Sequence, residues 1–184
     1  NTVTYLRGIN SNYSGLEIEG AFQPNKWVRF DVAASISDWV YTADVSSEVV
    51  DITTGANLPS SGTVYIDDLK IGDAPQTQFA FAATVFPTRG LSVKAQGLYY
   101  NAYYADYNAE TRTDPTDRAQ AWQIPSYTTY DLHVNYKLPL DLDRYEISLF
   151  AHVFNLTDEV YVSDATDNSR FEGISGAPSH SPQR

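Results

Sequence analysis

Neither cysteine nor methionine occurs in this chain. Without cysteine there is no disulfide framework, no thiolate metal site and no cysteine nucleophile. No apolar run approaches the roughly 18 residues of a membrane-crossing helix, and no charged stretch leading into an apolar one marks a signal peptide at the start. Beginning at Asn1, the chain is expected to be a mature product or, better, a segment of a longer one. Positive charge is scarce: 12 Lys and Arg stand against 23 Asp and Glu, a formal net charge of −11. A nucleic-acid partner, which needs a basic footprint, is therefore not expected. Helical periodicity is hard to find, and neither a linker nor a low-complexity tract divides the 184 residues.

What is present is alternation with period two, the signature of strands with one apolar face. Six segments carry it: residues 13–22, 27–41, 76–86, 91–104, 126–138 and 145–161. In the second, Val28, Phe30, Val32, Ala34 and Ile36 oppose Arg29, Asp31, Ser35 and Ser37. In the fifth, Tyr130, Leu132, Val134 and Tyr136 oppose Asp131, His133 and Asn135. Phe150 and Phe154 interrupt the polar face of the sixth. These runs exceed the usual soluble strand of about 5–6 residues. They suit the roughly 9–11 residues of a tilted strand crossing a bilayer, with length to spare.

The connections sort by length. Residues 24–26, 87–90 and 139–144 are short; residues 42–75, 105–125 and 162 onward are long and polar. Short turns at one end and long loops at the other predict a transmembrane antiparallel up-and-down β-barrel, an all-β fold. Aromatics cluster at both ends. Phe22, Trp27, Phe86, Tyr136 and Tyr145 lie near the short turns, and Tyr13, Trp39, Tyr41, Tyr99, Tyr103, Tyr104, Tyr127 and Tyr161 near the long loops. This predicts two interfacial girdles, against the plainer reading that aromatics favour any strand. Six strands cannot close a membrane barrel, since about eight is the smallest number known. The rest of the wall is expected from a longer chain.

Residues 153–161 read V-F-N-L-T-D-E-V-Y, which resembles the NL-x-D-x-x-Y signature near the C-terminus of TonB-dependent outer-membrane receptors. Gly15-Leu16-Glu17-Ile18-Glu19 is similar to the family's G-[VL]-E-x-E strand, Asp73-Ala74-Pro75-Gln76 to its proline-led descending strand, and Pro125-Ser126-Tyr127 with Tyr130-Asp131-Leu132 to its P-x-Y-x-x-x-D-L strand. Pro182-Gln183-Arg184 resembles the P-R before the final strand. The resemblance implies six wall strands of a barrel of about 22 strands, with residues 1–184 as a C-terminal portion lacking the plug domain and the closing strand. It further implies a bacterial outer-membrane receptor that binds a scarce nutrient, a siderophore or carbohydrate among others. Import would be driven by the TonB–ExbB–ExbD complex acting on the plug. The partners implied are that complex, the plug itself, lipid and lipopolysaccharide, and a surface lipoprotein. Two other readings compete: a passive porin or structural barrel, and a secreted glycan-binding β-sandwich.

No enzyme is expected, and no cofactor. G-x-S-x-G does not occur, and Glu17 and Glu19 on one strand face more simply meet water or plug than act as a glycosidase pair. Glu17, Glu19, Arg29, Asp31, Lys94, Asp131, His133 and His152 are expected to face the lumen. His133, His152 and Asp131 lack the usual spacing of metal ligands. Asp67, Asp68 and Asp73, with Glu48 and Asp51, read more simply as a solvated acidic loop than as a calcium site. Tyr103, Tyr104, Tyr107 and Trp122 are candidates for stacking on a substrate. Arg112 and Arg118 are candidates to pair with an anionic one.

Overall fold

Alternating residues of this kind extend and pair, and in the computed structural model they do so in a single antiparallel meander. The structure describes residues 1–140, 145–167 and 179–183. In chain order the strands are β1 (Thr2–Arg7), β2 (Ser11–Asn25), β3 (Val28–Tyr41), β4 (Val45–Asp51), β5 (Asn57–Val64), β6 (Pro75–Thr88) and β7 (Leu91–Tyr104). There follow β8 (Asp106–Tyr107), a 3-10 turn (Ala109–Thr111), β9 (Gln123–Ile124), β10 (Tyr127–Lys137), β11 (Ser148–Val153), β12 (Tyr161–Asp167) and β13 (Ser179–Gln183). The wall has the order β11-β10-β7-β6-β3-β2, with β9 pairing the upper end of β7. Each long strand lies beside its sequence neighbour among the long strands, as an up-and-down barrel wall requires.

Because cross-strand partners share a face, the register sorts the side chains. Ile18, Ala34, Phe79 and Tyr99 fall in one row, and Phe22, Phe30, Ala83, Ala95 and Leu132 in another. This face is uncovered: Leu16 is 62% exposed, Ile18 57%, Phe22 66%, Ile36 53% and Phe81 53%. A contiguous apolar surface of this extent belongs against lipid or a partner and not against water. No second sheet covers it among the described residues, where a β-sandwich would bury it.

The short turns are locally specified. In the β2–β3 turn the Asn25 side chain accepts the Trp27 backbone N–H at 2.7 Å. Gly90 carries the β6–β7 turn at φ +83°, where a Cβ would stand 2.4 Å from the Lys137 carbonyl oxygen. Gly15 is needed for space: a Cβ there would meet Ser37 Cβ at 2.8 Å and Ile36 O at 2.9 Å.

Three sequence expectations are corrected. First, the sixth strand does not run to Tyr161; β11 ends at Val153. Asn155 and Asp158 take φ of 49° and 53°, outside the extended region, and the chain turns there. The Asn155 side chain holds the turn by accepting from Glu159 N at 2.9 Å and donating to Glu159 O at 2.9 Å.

Second, the long loops are not simply polar connections. Residues 42–75 contain β4 and β5, which with β1 form a sheet of order β1-β4-β5, and β12 joins β13 and β8. The deepest burial lies here: Val45, Val64, Ile66 and Leu69 form one core, flanked by Leu6, Tyr41, Tyr107 and Ala109. Tyr103, Ala105, Ile124 and Ala165 form a second, flanked by Trp122 and Val162.

Third, the loop-end girdle does not form as expected. By register Tyr13 and Trp39 oppose each other in phase with Glu17 and Ser35, so both stand on the polar face, and Tyr127 does likewise in phase with Asp131. Tyr99 alone of these four is in phase with the apolar row. Of the C-terminal P-R resemblance, Pro182 and Gln183 lie in the backbone of β13, and Arg184 lies outside the described residues, as do residues 141–144 of the third short connection.

The uncovered apolar face sets a solubility test. The chain is expected to aggregate in plain buffer and to need detergent micelles to stay dispersed, read by light scattering and circular dichroism. A cooperative melt in buffer alone would contradict a lipid-facing sheet.

Candidate functional site

The opposite face is polar and organised in cross-strand rows. One runs Glu17, Ser35, Gln78, Tyr100 and Tyr127. The next below it runs Glu19, Ala33, Ala80, Leu98 and Thr129, followed by Ala21, Asp31, Ala82, Gln96 and Asp131. The row below that holds Arg29, Thr84, Lys94, His133 and His152. Thus Glu17, Glu19, Arg29, Asp31, Lys94, Asp131, His133 and His152 share one face. Carboxylates lead toward the loop end and basic groups toward the short turns. Alternate spacing on each strand is what brings these eight to one face.

Within this face Arg29 donates to Asp31 Oδ1 through Nε at 2.9 Å and Nη2 at 2.6 Å. His133 Nδ1 lies 2.8 Å from His152 Nδ1. Asp131 is buried: Oδ2 accepts from Gln96 Nε2 at 3.0 Å and Oδ1 from the Asn155 backbone N–H at 2.8 Å. The Leu156 N–H adds a bond to Tyr130 O at 2.6 Å. Two stretches noticed separately in the sequence, Tyr130-Asp131-Leu132 and Asn155-Leu156, are therefore halves of one contact.

At the loop end the stacking candidates separate. Tyr103 is buried and donates from its hydroxyl to Ser163 O at 3.0 Å. Tyr107 packs into the first loop core, burial raising the pKa of its hydroxyl, with the Arg112 guanidinium 5.3 Å over its ring. Arg112 is itself buried, its Nη1 donating to Asp117 Oδ1 at 2.9 Å and to Ala119 O at 2.7 Å. Trp122 is half-buried at the second core, and its backbone N–H donates to Asp167 Oδ2 at 2.6 Å. Tyr104 is half-buried, its carbonyl accepting from the Asp73 N–H at 3.1 Å. The structure thus joins Tyr107 with Arg112 and sets Tyr103 with Trp122, and it does not gather all five around one opening.

Arg118 grips Asp44 with both terminal nitrogens, at 2.7 and 2.8 Å, and lies 5.3 Å over the Tyr65 ring. This contact bridges 74 positions of sequence and clamps the β3–β4 connection to the long loop after β8. Gln120 fastens the same junction, accepting from Lys70 N and donating to Asp68 O, each at 2.8 Å. Lys70 pairs with Asp38, and Arg7 with Glu48. Every Lys and Arg described at the loop end (Arg7, Lys70, Arg112, Arg118) is thus held by a carboxylate of the chain itself. Among the described residues no three His, Cys, Asp or Glu side chains gather into a metal cluster.

Sequence reasoning overlooked a polar-face aromatic group. Tyr100 and Tyr127 stand 5.1 Å apart and Tyr127 stacks on Tyr161 at 4.2 Å, while Tyr13 meets Trp39 at 5.7 Å. For Tyr13, Trp39, Tyr100 and Tyr127 the signal was available: they share parity with Glu17, Asp31, Gln96 and Asp131 on their own strands, not with the apolar residues.

Two predictions follow from these contacts. Arg118, with the Asp67 N–H behind it, holds the Asp44 carboxyl down to a pKa of about 2. A carboxylate depressed in the folded state stabilises it fully above the unfolded value of about 4, and that stabilisation is lost as pH falls through the folded value. Near-ultraviolet circular dichroism of the tyrosine-rich loops should therefore change between about pH 4 and pH 2, and D44N should flatten that change. Replacing Asp131 by Ala strands the Asn155 N–H and should cost about 1–3 kcal/mol, read as a lowered melting temperature in detergent. A melting temperature equal to that of the unsubstituted protein would remove Asp131 from this role.

Residues 2–156 match the family described as TonB dependent receptor-like, beta-barrel. No curated protein and no solved structure matches the chain. That family is one of bacterial outer-membrane receptors and transporters, not of enzymes. The match spans well over half of the sequence, and it agrees with the antiparallel meander and its two unlike faces: this chain belongs to the TonB-dependent receptor β-barrel family.

Proposed function

We propose that this chain forms part of the wall and surface loops of an outer-membrane importer that takes up a scarce nutrient with energy from the TonB system. The observation that carries the reading is the sheet itself: six long strands in meander order, exposed and apolar on one face, polar on the other. Six strands fall short of a closed wall, and open edges in lipid leave backbone groups unsatisfied. The remaining strands and a plug would come from a longer chain, with residues 1–184 in its C-terminal portion. The polar face would line the lumen and meet the plug. TonB, with ExbB and ExbD, would act through that plug. The apolar face would meet lipid and lipopolysaccharide, and the loops would offer a surface lipoprotein its contact.

Substrate contact is assigned to the loop end. Tyr104, Tyr107 and Trp122 are half-buried there, Tyr107 packing against the first loop core, and the buried Tyr103 and Arg112 support the same loops from within. With Arg112 and Arg118 both held by carboxylates, a siderophore relying on an arginine clamp fits less well than a neutral ligand such as a carbohydrate.

The absence of cysteine makes the topology testable with single substitutions in a cysteine-free segment. Cysteine at Ser35 or Thr84 should react with a water-soluble, membrane-impermeant maleimide, and cysteine at Ile18 or Phe81 should resist it. Equal labelling of both sets would exclude the lumen assignment. Uptake of the nutrient should stop in cells lacking TonB; uptake that continues unchanged would favour the passive porin.

A further inference from the structure

We propose that His133 and His152 form a two-nitrogen site for a divalent late first-row metal ion, Cu²⁺ before Ni²⁺. The two residues face each other directly on β10 and β11, so the strand register, and not a flexible loop, fixes their separation. Their Nδ1 atoms stand 2.8 Å apart. Metal–imidazole bonds are about 2.0–2.1 Å long, so two nitrogens on one ion lie about 2.9 Å apart at a right angle and about 3.3 Å apart at the tetrahedral angle. The observed spacing is short enough for both nitrogens to bond one ion at adjacent positions of its coordination sphere. Among divalent late first-row ions Cu²⁺ has the highest affinity for nitrogen donors.

The surroundings define the rest of the site. Phe154 lies 5.7 Å from the His133 ring and 6.0 Å from the His152 ring, and Phe150 lies 5.5 Å from His152. These rings wall one side with apolar surface. Asp131, on the same face two positions away, is committed to other contacts, its two carboxylate oxygens accepting from Gln96 and from the Asn155 N–H. With no third His, Cys, Asp or Glu gathered among the described residues, the remaining coordination positions fall to water or to a donor carried in by a ligand. Lys94 is the register partner of His133 on its other flank, and its charge weakens the site. Without metal the same pair is satisfied by one ring donating Nδ1–H to the other. The site needs only the β10–β11 register and stands whether or not the barrel transports anything.

The test uses the complete protein that carries this chain, purified in detergent micelles and titrated with Cu²⁺ alone. Calorimetry should show an equivalent of Cu²⁺ that H133Q and H152Q each weaken by about tenfold or more. The electron paramagnetic resonance spectrum of that equivalent should show coupling to two nitrogens, falling to one in either variant. K94Q should tighten binding. Copper titrations of both variants that superimpose on the unsubstituted protein would overturn the proposal. Should either variant fail to fold, acylation of imidazoles in the unsubstituted protein decides: Cu²⁺ must protect His133 and His152 together. Modification of the two at unchanged rates would overturn it.

Discussion

Hydrogen bonding between the backbones of long neighbouring strands is the constraint on which this structure depends. In hydrocarbon no water replaces a missing bond, so each N–H and C=O of the wall needs a strand beside it. The order β11-β10-β7-β6-β3-β2 supplies one along most of the sheet, with β2 continuous over 15 residues and β3, β6 and β7 over 14 each. Once that ladder is set, alternation leaves little freedom. Leu16, Ile18, Phe30 and Phe81 are turned to one side by the same bonds that turn Glu17, Glu19, Arg29 and Asp131 to the other. A shift of one residue would exchange the two populations wholesale, so apolar patterning and register enforce each other.

Burial is distributed the other way round from a water-soluble domain. The wall leaves its largest apolar side chains open, while the connections between strands enclose Val45, Val64, Ile66, Leu69, Ala105 and Ile124. The loop end behaves as a small water-adapted unit seated on the wall. Its hydrophobic cores are fastened by ion pairs that reach across the sequence, Arg118 to Asp44 and Lys70 to Asp38 among them. Such fastenings hold the loops in one arrangement without help from the wall beneath them.

The wall was legible in the sequence because its signal is local. Five of the six alternating segments match strands with ends displaced by at most three residues, and residues 91–104 coincide with β7. The sixth failed where two residues at positive φ, Asn155 and Asp158, ended a run that still looked extended. The loop sheets were hidden because β4 and β5 are short and rich in serine and threonine, and their partner β1 lies some forty residues upstream of β4, outside any local window. The polar face was readable residue by residue from parity. The aromatics were misassigned because position along a strand was weighed and parity was not, although Tyr13 shares the parity of Glu17. Nothing local could have announced that Arg112 would turn inward to Asp117, since that depends on the packing of the loop around it.

The bond from the Asn155 N–H to Asp131 has a consequence for how such barrels diversify. It ties β10 to the bend that follows β11, so that the two would be inherited well only together. A recombination crossover inside this stretch would bring together an acceptor and a bend shaped for different partners. Crossovers on either side of it would carry the pair across intact. Exchange between related barrels should therefore respect the β10–β11 hairpin as a unit, leaving the long loop between β7 and β10 as the interval where new surfaces are spliced in.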